Sequence, residues 1–117
     1  MSAPAALELH IDGRPSGVRV RTALRWWTRA VGLLATPRLD DPSGLWIAPC
    51  NSVHTFGMRY PIDVLFLARD GAVQRVVPGL RPWRAAGCRR AHATLELRAG
   101  LAARLHLTPG RRLALDT

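Results

Sequence analysis

The stretch Asp63-Val-Leu-Phe-Leu-Ala-Arg-Asp-Gly-Ala-Val-Gln-Arg-Val-Val77, or DVLFLARDGAVQRVV, decides the fold. Its apolar run from Val64 to Ala68 is too short for a buried helix and rich in β-forming side chains, which reads as a core strand. Asp70-Gly71 follows as a hairpin signal, because tight turns need left-handed backbone that glycine adopts without strain. Val73 to Val77 then returns as the antiparallel partner.

The same logic extends to both sides. Leu7, Leu9 and Ile11 alternate with Glu8 and His10, the pattern of a half-buried strand. A turn-rich stretch, Asp12 to Gly17, leads to Val18 and Val20 alternating with Arg19 and Arg21 as its return strand. Thr22 is placed to cap a helix carrying Leu24, Trp27, Val31 and Leu34 on one face, stopped by Pro37. Leu45–Ala48, Ala93–Arg98 and Leu113–Leu115 read as further strands, and Gly100–Arg104 as a turn or short helical piece. The Pro- and Gly-rich segment 78–87 reads as an irregular surface loop. The expectation is a mainly β (α+β) fold: a compact antiparallel β sandwich or barrel-like domain, with one helix of the N-terminal half packed on it.

Size and composition set the outer bounds. The 117 residues suit one domain over 1–117. Hydrophobic residues are 48% and charged residues 21%, ordinary for a soluble protein, and no apolar run reaches membrane-spanning length. The N-terminus shows no basic start with an apolar run behind it, so the expected location is the cytoplasm. The formal charge is +9 and every basic residue is arginine, a usage that matches a GC-rich, bacterial-type coding bias. The arginines are scattered along the chain, without the clustering or aromatic interleaving of a nucleic-acid binder, which argues against nucleic acid as partner.

A series of motifs carries a family resemblance. Arg29-Ala-Val-Gly-Leu-Leu34 is followed by a Gly-Leu-x-Ile strand, then by Ser52-Val-His-Thr-Phe-Gly-Met-Arg-Tyr-Pro-Ile-Asp-Val-Leu-Phe66. A D-G hairpin, Ala93-Thr-Leu-Glu-Leu97 and Ala99-Gly100 complete it. In this order they resemble the uncharacterised bacterial and archaeal family called domain of unknown function 192. His54-Thr-Phe-Gly-Met58 stands where many relatives carry W-M-x-N-T, which is similar to a His-Thr-Phe subgroup. The resemblance implies a compact, mainly β domain of no established activity, some members being secreted or membrane-anchored, and it carries no catalytic role to this chain.

The chemistry concentrates in Cys50 to Asp63. If residues 53–58 are extended, His54, Phe56 and Met58 share one face. Asp63 falls among leucines, where a carboxylate needs backbone N–H groups at the Tyr60-Pro61 turn, an ion pair with Arg59, or a role orienting His54. Glu96 alternates with Leu95 and Leu97, so it is either a surface charge or an acid/base partner for Asp63 across a cleft. Cys50-x-x-x-His54 and Cys88-x-x-x-His92 duplicate a spacing that would offer soft ligands to zinc, though not in a standard zinc pattern. Trp83, between Arg81 and Arg84 in a Pro-Gly loop, is either a lid on the core or a stacking surface for a sugar or anion.

These readings converge on a non-catalytic binding or accessory protein with no cofactor. The candidate site is Ser52, His54, Thr55, Met58, Arg59 and Asp63, bordered by Trp83 and Glu96. Its ligand would be a small polar or anionic molecule, carbohydrate included, or a protein partner. The alternative is a metal- or thiol-dependent hydrolase using Cys50, His54, Cys88 and His92, with nucleic-acid binding third.

Overall fold

The structure, a computed structural model, describes residues 6–23 and 44–116. Nine strands are seen there: β1 Leu7–Ile11, β2 Arg14–Ala23, β3 Gly44–Ile47, β4 Ser52–His54, β5 Ile62–Leu67, β6 Val73–Leu80, β7 Ala85–Gly87, β8 Ala93–Arg98 and β9 Leu113–Leu115. One short helix among the described residues, α1, covers Leu101–Arg104.

Seven strands form a mixed sheet in the order β6-β5-β8-β3-β2-β1-β9, and β4 and β7 pair in a small second sheet. All pairings are antiparallel except β2 with β3. The sheet is therefore mixed where the sequence pattern predicts an antiparallel one. A parallel neighbour leaves no local signature, because its partner lies beyond a long connection. The predicted helix, including Trp26 and Trp27, lies outside the described residues. Thr22 itself sits within β2, opposite Trp46.

The first hairpin is tighter than the sequence implies. Ile11 pairs with Arg14, leaving Asp12 and Gly13 as the whole turn, with φ of 52° and 82°. That double left-handed pair matches the twist of the flanking strands. At the other end of the sheet, β6 runs on through Pro78-Gly79 to Leu80 instead of breaking into a loop. Proline is tolerated there because β6 is an edge strand.

The two edges meet at one end. Ala72 bridges Arg112, the Leu113 N–H donates to the Gly71 carbonyl (2.9 Å), and the Val73 N–H donates to that of Arg111 (2.8 Å). The sheet curls toward a barrel without closing. Asp12 braces this seam by accepting the Arg112 N–H and the Arg111 guanidinium, while Asp70 accepts the Ala72 N–H and pairs with Arg112. Hydrogen bonds from the Arg112 and Ala72 backbones, respectively, are the leading cause holding the Asp12 and Asp70 carboxyls below their ordinary range.

Strand β5 is buried along its whole length and divides the core in two. Leu65 and Leu67 join Leu95, Leu97, Leu9 and Leu113 on one face. Ile62, Val64 and Phe66 join Leu45, Ile47, Val53 and Met58 on the other. This period-two division explains why the segment reads as an unbroken apolar run: both faces are covered. Among the described residues no helix is long and apolar enough to cross a membrane.

Candidate functional site

The turn after β4 and the loop after β6 are fastened together by one side chain. Thr55 is fully buried. Its N–H donates to the Arg84 carbonyl (2.8 Å), and its hydroxyl accepts the Arg84 N–H (2.9 Å) while donating to the Arg81 carbonyl (2.6 Å). Its own carbonyl accepts the N–H groups of Met58 and Trp83, both at 3.1 Å. One threonine thus satisfies the polar backbone of two irregular segments that would otherwise lack partners.

What this clamp displays is an aromatic platform. Phe56 is 50% exposed and Trp83 64%, and their rings stack at 5.6 Å with 22° between planes. The exposed His54 extends the row, its ring 4.7 Å from that of Phe56. Trp83 stands at φ 64°, left-handed backbone that a bulky side chain adopts at a cost of about 1–2 kcal/mol. The Thr55 bonds and a ring stack contributing about 0.5–1.5 kcal/mol offset that strain. Arg81 and Arg84 flank the tryptophan, both exposed, and Arg84 Nη1 donates to the Trp83 carbonyl (3.3 Å). Trp83 is therefore displayed outward and is not a lid on the core.

Asp63 belongs elsewhere. It is 1% exposed, and its carboxylate accepts three backbone N–H groups: Gly79 on Oδ1 (2.8 Å), Gly100 and Ala102 on Oδ2 (both 3.0 Å). The sequence reading of a backbone-bound carboxylate holds in kind. The partners, however, are the end of β6 and the start of α1, not the Tyr60-Pro61 turn or Arg59. A buried carboxylate bonded by three donors is stabilised without a counter-charge, and it ties three elements into one corner.

Glu96 is also buried, at 3% exposed, but on the opposite face of the sheet. In the β5–β8 register Asp63 lies opposite Leu97 while Glu96 lies opposite Val64. Side chains alternate along a strand, so the acid/base pairing of Asp63 with Glu96 is geometrically broken. Glu96 instead acts on Tyr60, whose phenol is pushed above its ordinary value first by burial and then by the Glu96 charge.

Both cysteines are free thiols. The buried Cys50 thiol donates to the Ser52 carbonyl (3.2 Å), and Cys88 lies 3.7 Å from Gln74 Oε1. The Cys50 N–H donates to the His92 carbonyl, so the two C-x-x-x-H segments are neighbours through their backbones. Among the described residues no three His, Cys, Asp or Glu side chains are grouped to hold a metal ion.

Of the residues singled out by sequence, His54, Arg59 and Trp83 are surface groups, Ser52 is half-buried, and Thr55 and Met58 are buried. The strand ends at His54, so the predicted shared face of His54, Phe56 and Met58 does not form: Met58 enters the core while Phe56 stays out. Phe56 is absent from the sequence-derived set. Its signal was local: an aromatic beside Gly57, whose φ of 85° marks a turn.

Comparisons with known proteins agree with this architecture. The family model of DUF192, described as Uncharacterized ACR, matches residues 7–115. A structure from Sinorhizobium meliloti 1021, provisionally named a transcription regulator, superposes with a TM-score of 0.83 at 23% identity, covering 98% of this chain and 97% of that one. A protein of unknown function from Novosphingobium aromaticivorans DSM 12444 gives 0.79 at 23% identity, covering 97% and 93%. Among curated proteins no match is found. At these identities the two structures speak for the fold alone.

Proposed function

We propose a non-catalytic binding function for this chain, which belongs to the DUF192 family. The ligand is a polar or anionic molecule with a flat face, a charged sugar or a nucleotide unit being the simplest examples, free or as part of a longer chain. The flat face lies on the platform of His54, Phe56 and Trp83, and the guanidinium groups of Arg81 and Arg84 take the negative charge. Ser52 and Arg59 stand at the border, while Thr55 and Met58 hold the platform from below.

One observation carries this reading: two large aromatic rings stacked on each other while left half or more exposed, one of them on strained backbone. Folding alone would bury such surface, worth about 25 cal/mol per Å², and would avoid left-handed tryptophan. Exposed apolar patches edged by charge mark interaction sites.

A thermal-shift and tryptophan-fluorescence screen at low salt, with nucleoside monophosphates and uronic-acid oligosaccharides as probes, tests it. At least one class should raise the melting temperature and quench fluorescence in the wild type and fail to do either in Trp83→Ala. A Trp83→Ala protein that responds like the wild type, or silence from every class, would remove the platform as the site.

A further inference from the structure

The described segments that carry the platform have one sign of charge. Residues 44–62 and 71–95 contain Arg59, Arg75, Arg81, Arg84, Arg89 and Arg90 and no aspartate or glutamate. All six guanidinium-bearing residues are exposed. Of the exposed carboxylates among the described residues, Asp12 and Asp70 are engaged by Arg111 and Arg112 at the seam, and Asp116 lies past β9 with its N–H on the Glu8 carbonyl. Asp70 sits in the turn at one end of the β5–β6 hairpin, whereas the Trp83 loop leaves from Leu80 at its other end, opposite Ile62. A strand's length separates Asp70 from the rings.

Chain order arranges the arginines as a track. Arg81 and Arg84 lie with the rings before β7, Arg89 and Arg90 follow it, and Arg75 Nη1 donates to the carbonyl of Gly87 at the end of β7. Exposed arginines therefore precede and follow the short strand β7, with the Arg75 guanidinium bonded at its end. Self-association through this face would set arginine against arginine, so its complement is an extended anion. Scattering along the sequence concealed this: Phe56 and Trp83 are far apart in the chain, and folding supplies the interleaving of rings and arginines that the linear pattern lacks.

We infer that the platform takes single-stranded nucleic acid. A base stacks on the open side of Trp83, continuing the Phe56–Trp83 stack, and the phosphates follow β7 between Arg81–Arg84 and Arg89–Arg90. A base offers a planar π-face to such a stack, and arginine forks match phosphate oxygens. Duplex is a poor substitute because its bases are already stacked on one another. The inference rests on the platform being the binding site, as proposed above.

Fluorescence anisotropy with fluorescein-labelled oligo-dT and oligo-rA tests it, with the duplex form and a tetragalacturonate competitor alongside. Binding should weaken with salt, and Phe56→Ala and Trp83→Ala should each reduce affinity about fivefold or more. Arg81→Ala with Arg84→Ala should flatten the salt slope. Because Phe56 and Trp83 are exposed, their variants should lose only their mutual ring stack and still melt cooperatively above the assay temperature, which makes loss of binding interpretable. Equal affinity for duplex, or oligonucleotide binding indifferent to Trp83, would overturn the inference. Tetragalacturonate binding that needs Trp83, without oligonucleotide binding, would overturn it and leave the platform reading standing. Absence of binding by either would sink both.

Discussion

Thr55 and Arg84 bond twice, the Thr55 N–H donating to the Arg84 carbonyl and the Arg84 N–H donating to the Thr55 hydroxyl, in a buried position that joins the turn after β4 to the loop after β6. Thr55→Val keeps the shape and removes the hydroxyl, leaving the Arg84 N–H and the Arg81 carbonyl short of a partner. We expect a loss of about 1–3 kcal/mol, read as a lowered urea midpoint, with Thr55→Ser within about 1 kcal/mol of wild type. A near-neutral Thr55→Val would mean that the backbone bonds alone hold the platform.

Asp63 organises a corner where β6 ends and α1 begins. Asp63→Ala strands three N–H groups and should cost at least about 3 kcal/mol in equilibrium unfolding. Asp63→Asn presents an amide NH₂ where an acceptor is needed and should fall between that variant and wild type. If Asp63→Asn matched wild type, the charge would be irrelevant to the corner.

Gly71 turns the β5–β6 hairpin at φ 88°, and a Cβ there would collide with the Leu113 carbonyl oxygen. Gly71→Ala therefore combines left-handed strain with a clash at the seam, and we expect a loss above about 2 kcal/mol. Gly13 and Gly110, also left-handed, have open space around the missing Cβ. Alanine there should be milder, and thermal melts of the three variants side by side check the order.

Tyr60 is the chain's one tyrosine, so phenolate absorbance titrates it alone. Its folded phenol ionises above the ordinary 10.0, so the unfolded chain loses the proton first as pH rises. The associated stability is complete below that value and is lost between it and the folded pKa. Denaturant midpoints from about pH 9 to about pH 11 should fall more for wild type than for Tyr60→Phe. Parallel curves would show that burial and Glu96 do not act on the phenol.

At the seam the sign is reversed. Asp12 is depressed, so its contribution is complete above the ordinary 3.8 and disappears as pH falls through the lower folded value. The melting difference between wild type and Asp12→Asn should be present at neutral pH and vanish in acid. A difference that persisted in strong acid would assign it to something other than the carboxylate charge.

Much of this fold was legible because it is written locally. The alternation at Leu7, Leu9 and Ile11, the run from Val64 to Leu67 and the Asp70-Gly71 pair each state their own structure within a few residues. The parallel pairing of Val20–Ala23 with Gly44–Ile47 is not written that way, nor is the pairing of Ala85–Gly87 with Ser52–His54. Pro78 and Gly79 read as loop because composition cannot show that they lie on an edge strand and that the Gly79 N–H has Asp63 as its partner. The site divided along the same line. His54 and Trp83 were found by residue type, whereas their junction through Phe56, and the parting of Asp63 from Glu96 onto opposite faces, are properties of register.

The pairing of β1 with β9 has a consequence for time. Leu9 lies opposite Leu115, and Asp12 bonds the backbone N–H of a residue 100 positions later. On the ribosome β1 emerges early, yet its outer partner and half of its seam do not exist until nearly all of the described chain has been made. Contacts of such sequence separation place a domain among the slower folders, since the entropy of closing the long loop must be met before the strands reward it. Until then β1 and β2 form a hairpin with an open, hydrogen-bond-hungry edge. The nascent chain is most exposed to mispairing with its neighbours in that interval.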